Sequence, residues 1–171
     1  MTPSHFARLF DYEFRCTELV LASLRAARRS VDDLGLAALA APYERALAIF
    51  AHVQAARRLW LHRVAPDLTE FPPDGVFPIW PLEQLEVDAR QVDGLWRNFI
   101  GRLERGEAPK LDAMIEYAST EGVRYQSRLD DILTHVVNHS SYHRGQVASM
   151  VASAGAKPAV TDYIALTRSK V

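Results

Sequence analysis

Three histidines recur at intervals of four residues in the last third of the chain: His135, His139 and His143. On an α-helix each step of four residues adds only about 40° of net rotation, so the three imidazoles would share one stripe of one helix. Imidazole is the commonest transition-metal ligand in proteins and binds without an unusual pKa at neutral pH. The spacing therefore predicts a metal-binding face on this helix.

The rise of a helix limits which of these histidines can bind the same ion. Residues i and i+4 lie about 6 Å apart along the axis and i and i+8 about 12 Å apart, whereas a Zn–N bond is only about 2.0–2.1 Å long. The ligand pair is therefore either His135 with His139 or His139 with His143. His139 belongs to both pairs and is the central ligand in either case.

A third ligand is expected from another helix, and two further histidines could supply it. His52 falls between Phe50 and Val53 in an apolar stretch, where a histidine is either satisfied by hydrogen bonds or bound to a metal. His62 lies ten residues further along, about 80° around the same helix, and is expected to cap the helix or face solvent.

The residues around the stripe argue against two kinds of metalloenzyme. Ser140, Ser141 and Tyr142 separate His139 from His143, so the glutamate that serves as general base in an H-E-x-x-H zinc protease is missing. No Glu-x-x-His pairs are evident on helices that could face each other, which argues against a di-iron bundle. A mononuclear, histidine-rich site with open coordination positions remains.

Composition predicts a single globular domain spanning residues 1–171, with 49% apolar and 24% charged residues. A net charge of -1 gives no reason to expect nucleic acid or an anionic membrane as a partner. Cys16 is the one cysteine and sits in an apolar helical stretch, so we expect a buried filler. No targeting or membrane segment is recognised, and we expect a cytoplasmic protein.

Hydrophobic periodicity predicts an all-α protein built as a four-helix bundle. The predicted helices are Ser4–Arg29, Pro42–Val64, Leu82–Leu103 and Leu129–Ala154. Pro66–Pro81 contains five prolines and is predicted to be a long crossover loop, pinned to the core by Phe71, Phe77, Ile79 and Trp80.

Three shorter segments connect or follow these helices. Residues 30–42 are expected to be a connection between the first two helices that contains at most a short turn of helix. In the segment 106–128 the helical period breaks, which predicts either a short β-hairpin around Glu121-Gly122 or an irregular excursion before the fourth helix. Residues 162–168 are expected to form one or two helical turns.

The fourth-helix motif resembles the signature of a known family. The run His139-Ser140-Ser141-Tyr142-His143-Arg144-Gly145-Gln146, preceded by Leu133, His135 and Asn138, is similar to that of the DinB (damage-inducible), YfiT-like superfamily of bacterial four-helix-bundle metalloproteins. Weaker likenesses are Ala51-His52-Val53 with Trp60-Leu61, Gly155-Ala156-Lys157-Pro158 and Thr161-Asp162-Tyr163. Together they cover most of the chain.

The resemblance implies a set of site residues. It implies one divalent metal ion, zinc or nickel first and iron or manganese next, held by His52, His139 and His143. It leaves four residues as pocket lining or as hydrogen-bond partners of the ligands: His135, Asn138, Tyr142 and Gln146. Arg144 points about 100° away from His143 on a helix and is expected to pair with a carboxylate or to bind another segment.

The resemblance also implies a function. Characterised relatives include transferases and isomerases that use a low-molecular-weight thiol such as bacillithiol or mycothiol, so we expect a metal-dependent thiol S-transferase acting on a small molecule. A hydrolase using metal-bound water is the alternative within enzymes. A metal-binding stress or interaction protein without turnover is the alternative outside them. We further expect a homodimer.

Overall fold

The computed structural model describes residues 1–169 and confirms the four-helix bundle. The elements in chain order are α1 (Pro3–Leu34), α2 (Ala37–Val64), α3 (Leu82–Glu104), β1 (Met114–Ala118), β2 (Arg124–Arg128), α4 (Leu129–Ser153) and α5 (Tyr163–Thr167). Helix α2 packs most extensively against α4, and α1 packs against α3. No helix in the described range is long and apolar enough to cross a membrane.

The first two helices are longer than the sequence predicted. Helix α1 begins at Pro3 and is capped by Thr2, whose side chain accepts a hydrogen bond from the backbone N–H of His5. Helix α1 then continues to Leu34 and stops at Gly35, whose φ of 60° is the left-handed conformation that glycine adopts without strain. The prediction of a connection over residues 30–42 is therefore wrong. The two helices are joined by only two residues.

Helix α2 begins five residues before Pro42, which lies inside the helix. The sequence ahead of the proline is Ala37-Ala38-Leu39-Ala40-Ala41, composed of strong helix formers. Because proline has no backbone N–H, it removes one helical hydrogen bond, that to the carbonyl of Ala38. The propensity of the alanine run outweighs this loss, so a proline at this position does not mark the helix start.

The core consists of two apolar clusters at different heights of the bundle. One contains Phe10, Trp96 and the start of α4, and the other contains Leu21, Phe50 and the end of α4. On α4, residues up to Val137 belong to the first cluster and residues from Val147 belong to the second, so the stretch 139–146 lies between them. The site histidines thus occupy the level of the bundle between its two cores.

The crossover loop 65–81 is anchored differently from the prediction. Pro72 and Pro78 are buried, and Trp80 packs partly against the second core cluster. Phe77 and Ile79 are 75% and 93% exposed, however, so they do not pin the loop to the core. The backbone of these two residues instead runs along the edge of the histidine site. An aromatic side chain of the loop can therefore lie against one of the imidazoles.

Of the two alternatives for the segment before α4, the structure confirms the β-hairpin. Strands β1 and β2 pair antiparallel, with Met114 opposite Arg128 and Ala118 opposite Arg124. Gly122 closes the turn with a φ of 82°. The hairpin lies against α2 and leads directly into α4, so it flanks the same face of the bundle as the crossover loop.

Candidate metal centre

Helices α2 and α4 bring three histidines together at the seam where they pack. His52 comes from α2, and His139 and His143 come from successive turns of α4. Each offers a ring nitrogen, and these nitrogens lie within 4.8 Å of one another. Tetrahedral ligands with Zn–N bonds of about 2.0–2.1 Å lie about 3.4 Å apart, a separation that small side-chain rotations can reach. The set therefore fits one mononuclear ion.

The crossover loop determines which nitrogen of His52 faces the centre. Nδ1 of His52 lies 2.6 Å from the carbonyl oxygen of Val76. Since a carbonyl can only accept, Nδ1 carries the proton and Nε2 keeps its lone pair. The ring of Phe77 stacks flat on His52, with centroids 4.6 Å apart and planes 7° apart. Hydrogen bond and stacking together hold this imidazole in an orientation suited to a ligand.

Gln146 does the same for His143. Nδ1 of His143 donates to Oε1 of Gln146 across 2.8 Å, one helical turn further along α4. His143 is therefore protonated on Nδ1 and offers Nε2 to the centre. Gln146 was expected to line the pocket or to form a hydrogen bond with a ligand. It does both, because it also lines a cavity next to His143.

The surroundings favour neutral imidazoles, the form that binds metal. Partial burial lowers the pKa of His52, and the neighbouring His143 lowers it further, against the opposing effect of the Val76 hydrogen bond. Burial also lowers the pKa of His139, to about 4, with smaller contributions from the three histidines around it. No carboxylate in residues 1–169 belongs to this cluster. The ligand set is three imidazole nitrogen donors, with the neutral form favoured at His52 and His139.

His135 lies beside the centre and outside the group of three. Its ring is 5.6 Å from that of His139 but packs edge-on against Trp60 at 5.1 Å and is exposed. His62, expected to cap α2 or face solvent, instead places Nδ1 2.9 Å from the carbonyl oxygen of Thr69 and ties the crossover loop to the helix.

Asn138 and Tyr142 lie on the solvent side of α4 beside the site. Both side chains are exposed, and neither forms a hydrogen bond with a site histidine in the described part of the chain. The Tyr142 ring approaches His143 edge-on, with centroids 5.0 Å apart. On a helix, positions 138 and 142 lie about 100° from the ligands that follow them, and here that angle directs them to solvent.

Arg144 pairs with a carboxylate, as the sequence predicted. Its Nη1 lies 2.6 Å from Oε2 of Glu13 on α1, and Nη2 donates to the hydroxyls of Tyr12 and Ser141, both at 2.8 Å. Arg144 directly follows the site residue His143, so the pair anchors this turn of α4 to α1.

Two cavities meet at the three histidines. The larger, about 480 Å³, touches His52 and His143 and extends along α2 toward Arg45. The other, about 390 Å³, touches His52 and His139 and extends between Trp60 and the hairpin residue Tyr117. Both volumes fall in the range typical of small-molecule sites. Access from both sides suits a centre where two different molecules meet.

Sequence reasoning missed Val76 and the orienting role of Phe77, although both act directly on His52. One sequence feature could have indicated this role. The long proline-rich loop must pass over a pair of helices, and it contains an aromatic residue. Long ordered loops of that kind are often functional. Periodicity says nothing about where such a loop runs.

Comparison with known proteins finds a family that spans nearly the whole chain and one relative that matches about half of it. The sequence profile of the DinB family matches residues 4–170. Protein DinB of Bacillus subtilis (strain 168) is 28% identical over 88 residues, which cover 47% of this chain and 51% of that protein. The aligned part thus spans about half the length of this curated relative. No solved structure shows a significant similarity to the chain.

Proposed function

This chain belongs to the DinB family, and on that premise we propose that His52, His139 and His143 hold one divalent metal ion in a thiol S-transferase. The observation that carries the proposal is the convergence of three ring nitrogens within 4.8 Å. In two of these rings Nδ1 is already committed to a carbonyl acceptor. Zinc or nickel suits such borderline nitrogen donors best, with iron or manganese next.

The reaction requires a thiol and an electrophile. When bound, a divalent ion at this site would lower the pKa of a thiol or water molecule that reaches it. In the transfer the thiol gives up its proton, and its sulfur forms a bond to an electrophilic carbon of the second substrate. The leaving group departs with the electron pair of the bond that breaks.

The protein's own residues contribute positioning. Gln146 and the Val76 carbonyl hold two imidazoles in orientation, and the two cavities offer separate approaches for two substrates. The chain's single thiol is unsuited to act as nucleophile. Cys16 is fully buried, and burial raises its pKa to about 11. A thiol supplied by a small molecule fits this arrangement.

Metal analysis of the untagged protein tests the site. We expect about one equivalent of metal in the wild type, loss in His139→Ala, and retention in His135→Ala, a matched control on the same helix face. Equal metal content in the two variants would overturn the ligand assignment. Circular dichroism of both variants checks that the bundle is intact.

Turnover assays of the metal-loaded protein test the activity. We expect transfer of a cellular thiol such as bacillithiol or mycothiol to an electrophile, lost in His139→Ala. Ester or amide hydrolysis without any thiol would support the hydrolase alternative. A metal-loaded protein inactive in both assays would support a non-catalytic stress or interaction protein. The homodimer and the cytoplasmic location stay predictions, the former testable by light scattering.

A further inference from the structure

One stripe of α2 forms a wall of the larger cavity. Arg45, Ala48, Ile49 and His52 follow one another at helical spacing and all line it. Phe77, Pro78 and Ile79 from the crossover loop line it too, as do His143 and Gln146. The cavity is therefore a largely apolar channel that is bordered by the candidate metal centre and, two helical turns away on α2, by Arg45.

Arg45 has no acidic partner among the side chains that the structure describes. The helix positions three and four residues away are Ala41, Pro42, Ala48 and Ile49, none of which is acidic. Within residues 1–169 no carboxylate forms an ion pair with Arg45, and no acidic residue lines the cavity. An exposed cation at the mouth of an apolar pocket, with no internal partner, is suited to an anionic ligand.

The apolar part of the channel is open to solvent. Phe77 and Ile79 are mostly exposed although their side chains border the cavity. Ile49 and Ala48 face them from α2 and are only partly buried. Exposed apolar surface concentrated at a pocket indicates a ligand that covers it.

We infer that this cavity binds the electrophilic second substrate, a small molecule with an apolar body and a terminal anionic group. The inference rests on the proposed function and assigns Arg45 as the residue that recognises the anion. Arg45 precedes His52 by seven residues, so the two lie about 10 Å apart along the helix. A body of roughly one aromatic ring or a short alkyl chain spans that distance, with its reactive end at the histidines.

Calorimetric titration with a matched pair of probes tests the inference without turnover. The probes are 4-phenylbutyrate and its neutral amide, titrated into the zinc-loaded protein and again after chelation of the metal. We expect the wild type to prefer the carboxylate in both states. Arg45→Gln should weaken carboxylate binding about tenfold and leave amide binding unchanged, because one charge-assisted interaction is lost.

Three further variants complete the test. Arg45→Lys keeps the charge and should retain part of the preference. Arg29→Gln removes an exposed arginine of α1 outside the cavity and should bind as the wild type does. Ile49→Trp fills the channel and should weaken both probes.

The result that overturns the inference is a wild type that binds neither probe, or an Arg45→Gln protein that keeps the preference for carboxylate. Thiol transfer is scored separately. Arg45-dependent binding in a protein without thiol transfer would remove the proposed activity and leave the anion site in place.

Discussion

Nη1 of Arg144 lies 2.6 Å from Oε2 of Glu13 in the interior of the bundle, where the two side chains are only 4% and 2% exposed. Arg144 immediately follows His143, so this ion pair joins α1 to the turn of α4 that carries a site histidine. Charges this deeply buried are costly unless they are paired. The contact therefore matters for stability and for the height of His143 in the bundle.

Removing one member of this pair should destabilise the protein strongly. Glu13→Ala leaves the Arg144 charge buried without its partner, and we expect the free energy of unfolding to fall by about 3–5 kcal/mol. Urea denaturation followed by circular dichroism measures the loss. The exposed pair Arg124–Glu116, with nitrogen and oxygen 2.7 Å apart, offers a matched control.

Glu116→Ala should cost less than about 1 kcal/mol, because solvent screens an exposed ion pair. Replacing both buried partners, Glu13→Leu with Arg144→Met, should recover much of the loss, since no isolated charge then remains. A Glu13→Ala protein as stable as Glu116→Ala would contradict this account of the buried pair.

Gln146 should tune metal affinity without ligating. Gln146→Leu removes the acceptor that orients His143, and we expect metal affinity to fall about 10–100-fold, as for other hydrogen-bond partners of metal ligands. Gln146→Glu keeps an acceptor and should bind more tightly than Gln146→Leu. Competition with a chromogenic chelator measures the affinities.

Asn138→Leu is the control for that experiment, because Asn138 is an exposed amide on the same helix without a hydrogen bond to the site histidines. Its metal affinity should match the wild type. If Asn138→Leu lost as much affinity as Gln146→Leu, the orienting role of the Gln146 hydrogen bond would be untenable.

Cys16 should react with thiol reagents only at high pH or after unfolding. Burial raises its pKa to about 11, so at pH 8 nearly all of the thiol is protonated and shielded from reagent. We expect the modification rate in native protein to keep rising to about pH 11, whereas in denatured protein, where the thiol pKa returns to about 8.5, the rate should level off near pH 10. A stopped-flow titration with a disulfide reagent compares them; a native rate that levels off by pH 9 contradicts the shifted pKa.

Pro42 should limit the stability of α2. Pro42→Ala restores the backbone N–H that can bond to the carbonyl of Ala38, and we expect a gain of about 1–2 kcal/mol after allowing for the more flexible unfolded chain. Pro109→Ala, in an exposed segment outside the helices, provides the comparison and should give no gain. Thermal unfolding of both variants measures the effect. Equal changes in melting temperature would show that the position of Pro42 inside a helix is not the cause.

Much of the fold could be predicted from the sequence because its signals are local. Helical periodicity identified four helices, and the prediction of the DinB family is confirmed. The errors in the helices fell at their boundaries, as at Pro42, where neighbouring alanines outweigh a single helix-breaking residue. The pairing of Arg144 with a carboxylate was also among the expectations, but its burial between α1 and α4 was decided by the packing of those helices.

The histidine spacing by itself determined that His139 is shared by every possible ligand pair, since this follows from the rise of one helix. It could not decide between His135 and His143, nor show what orients His52. Only the tertiary structure decided that α2 meets α4 at the level of His143, that the crossover loop passes over His52, and that Arg45 opens onto the same cavity. Periodicity describes one helix at a time, whereas a site between helices depends on which faces pack together and where the connecting loop runs.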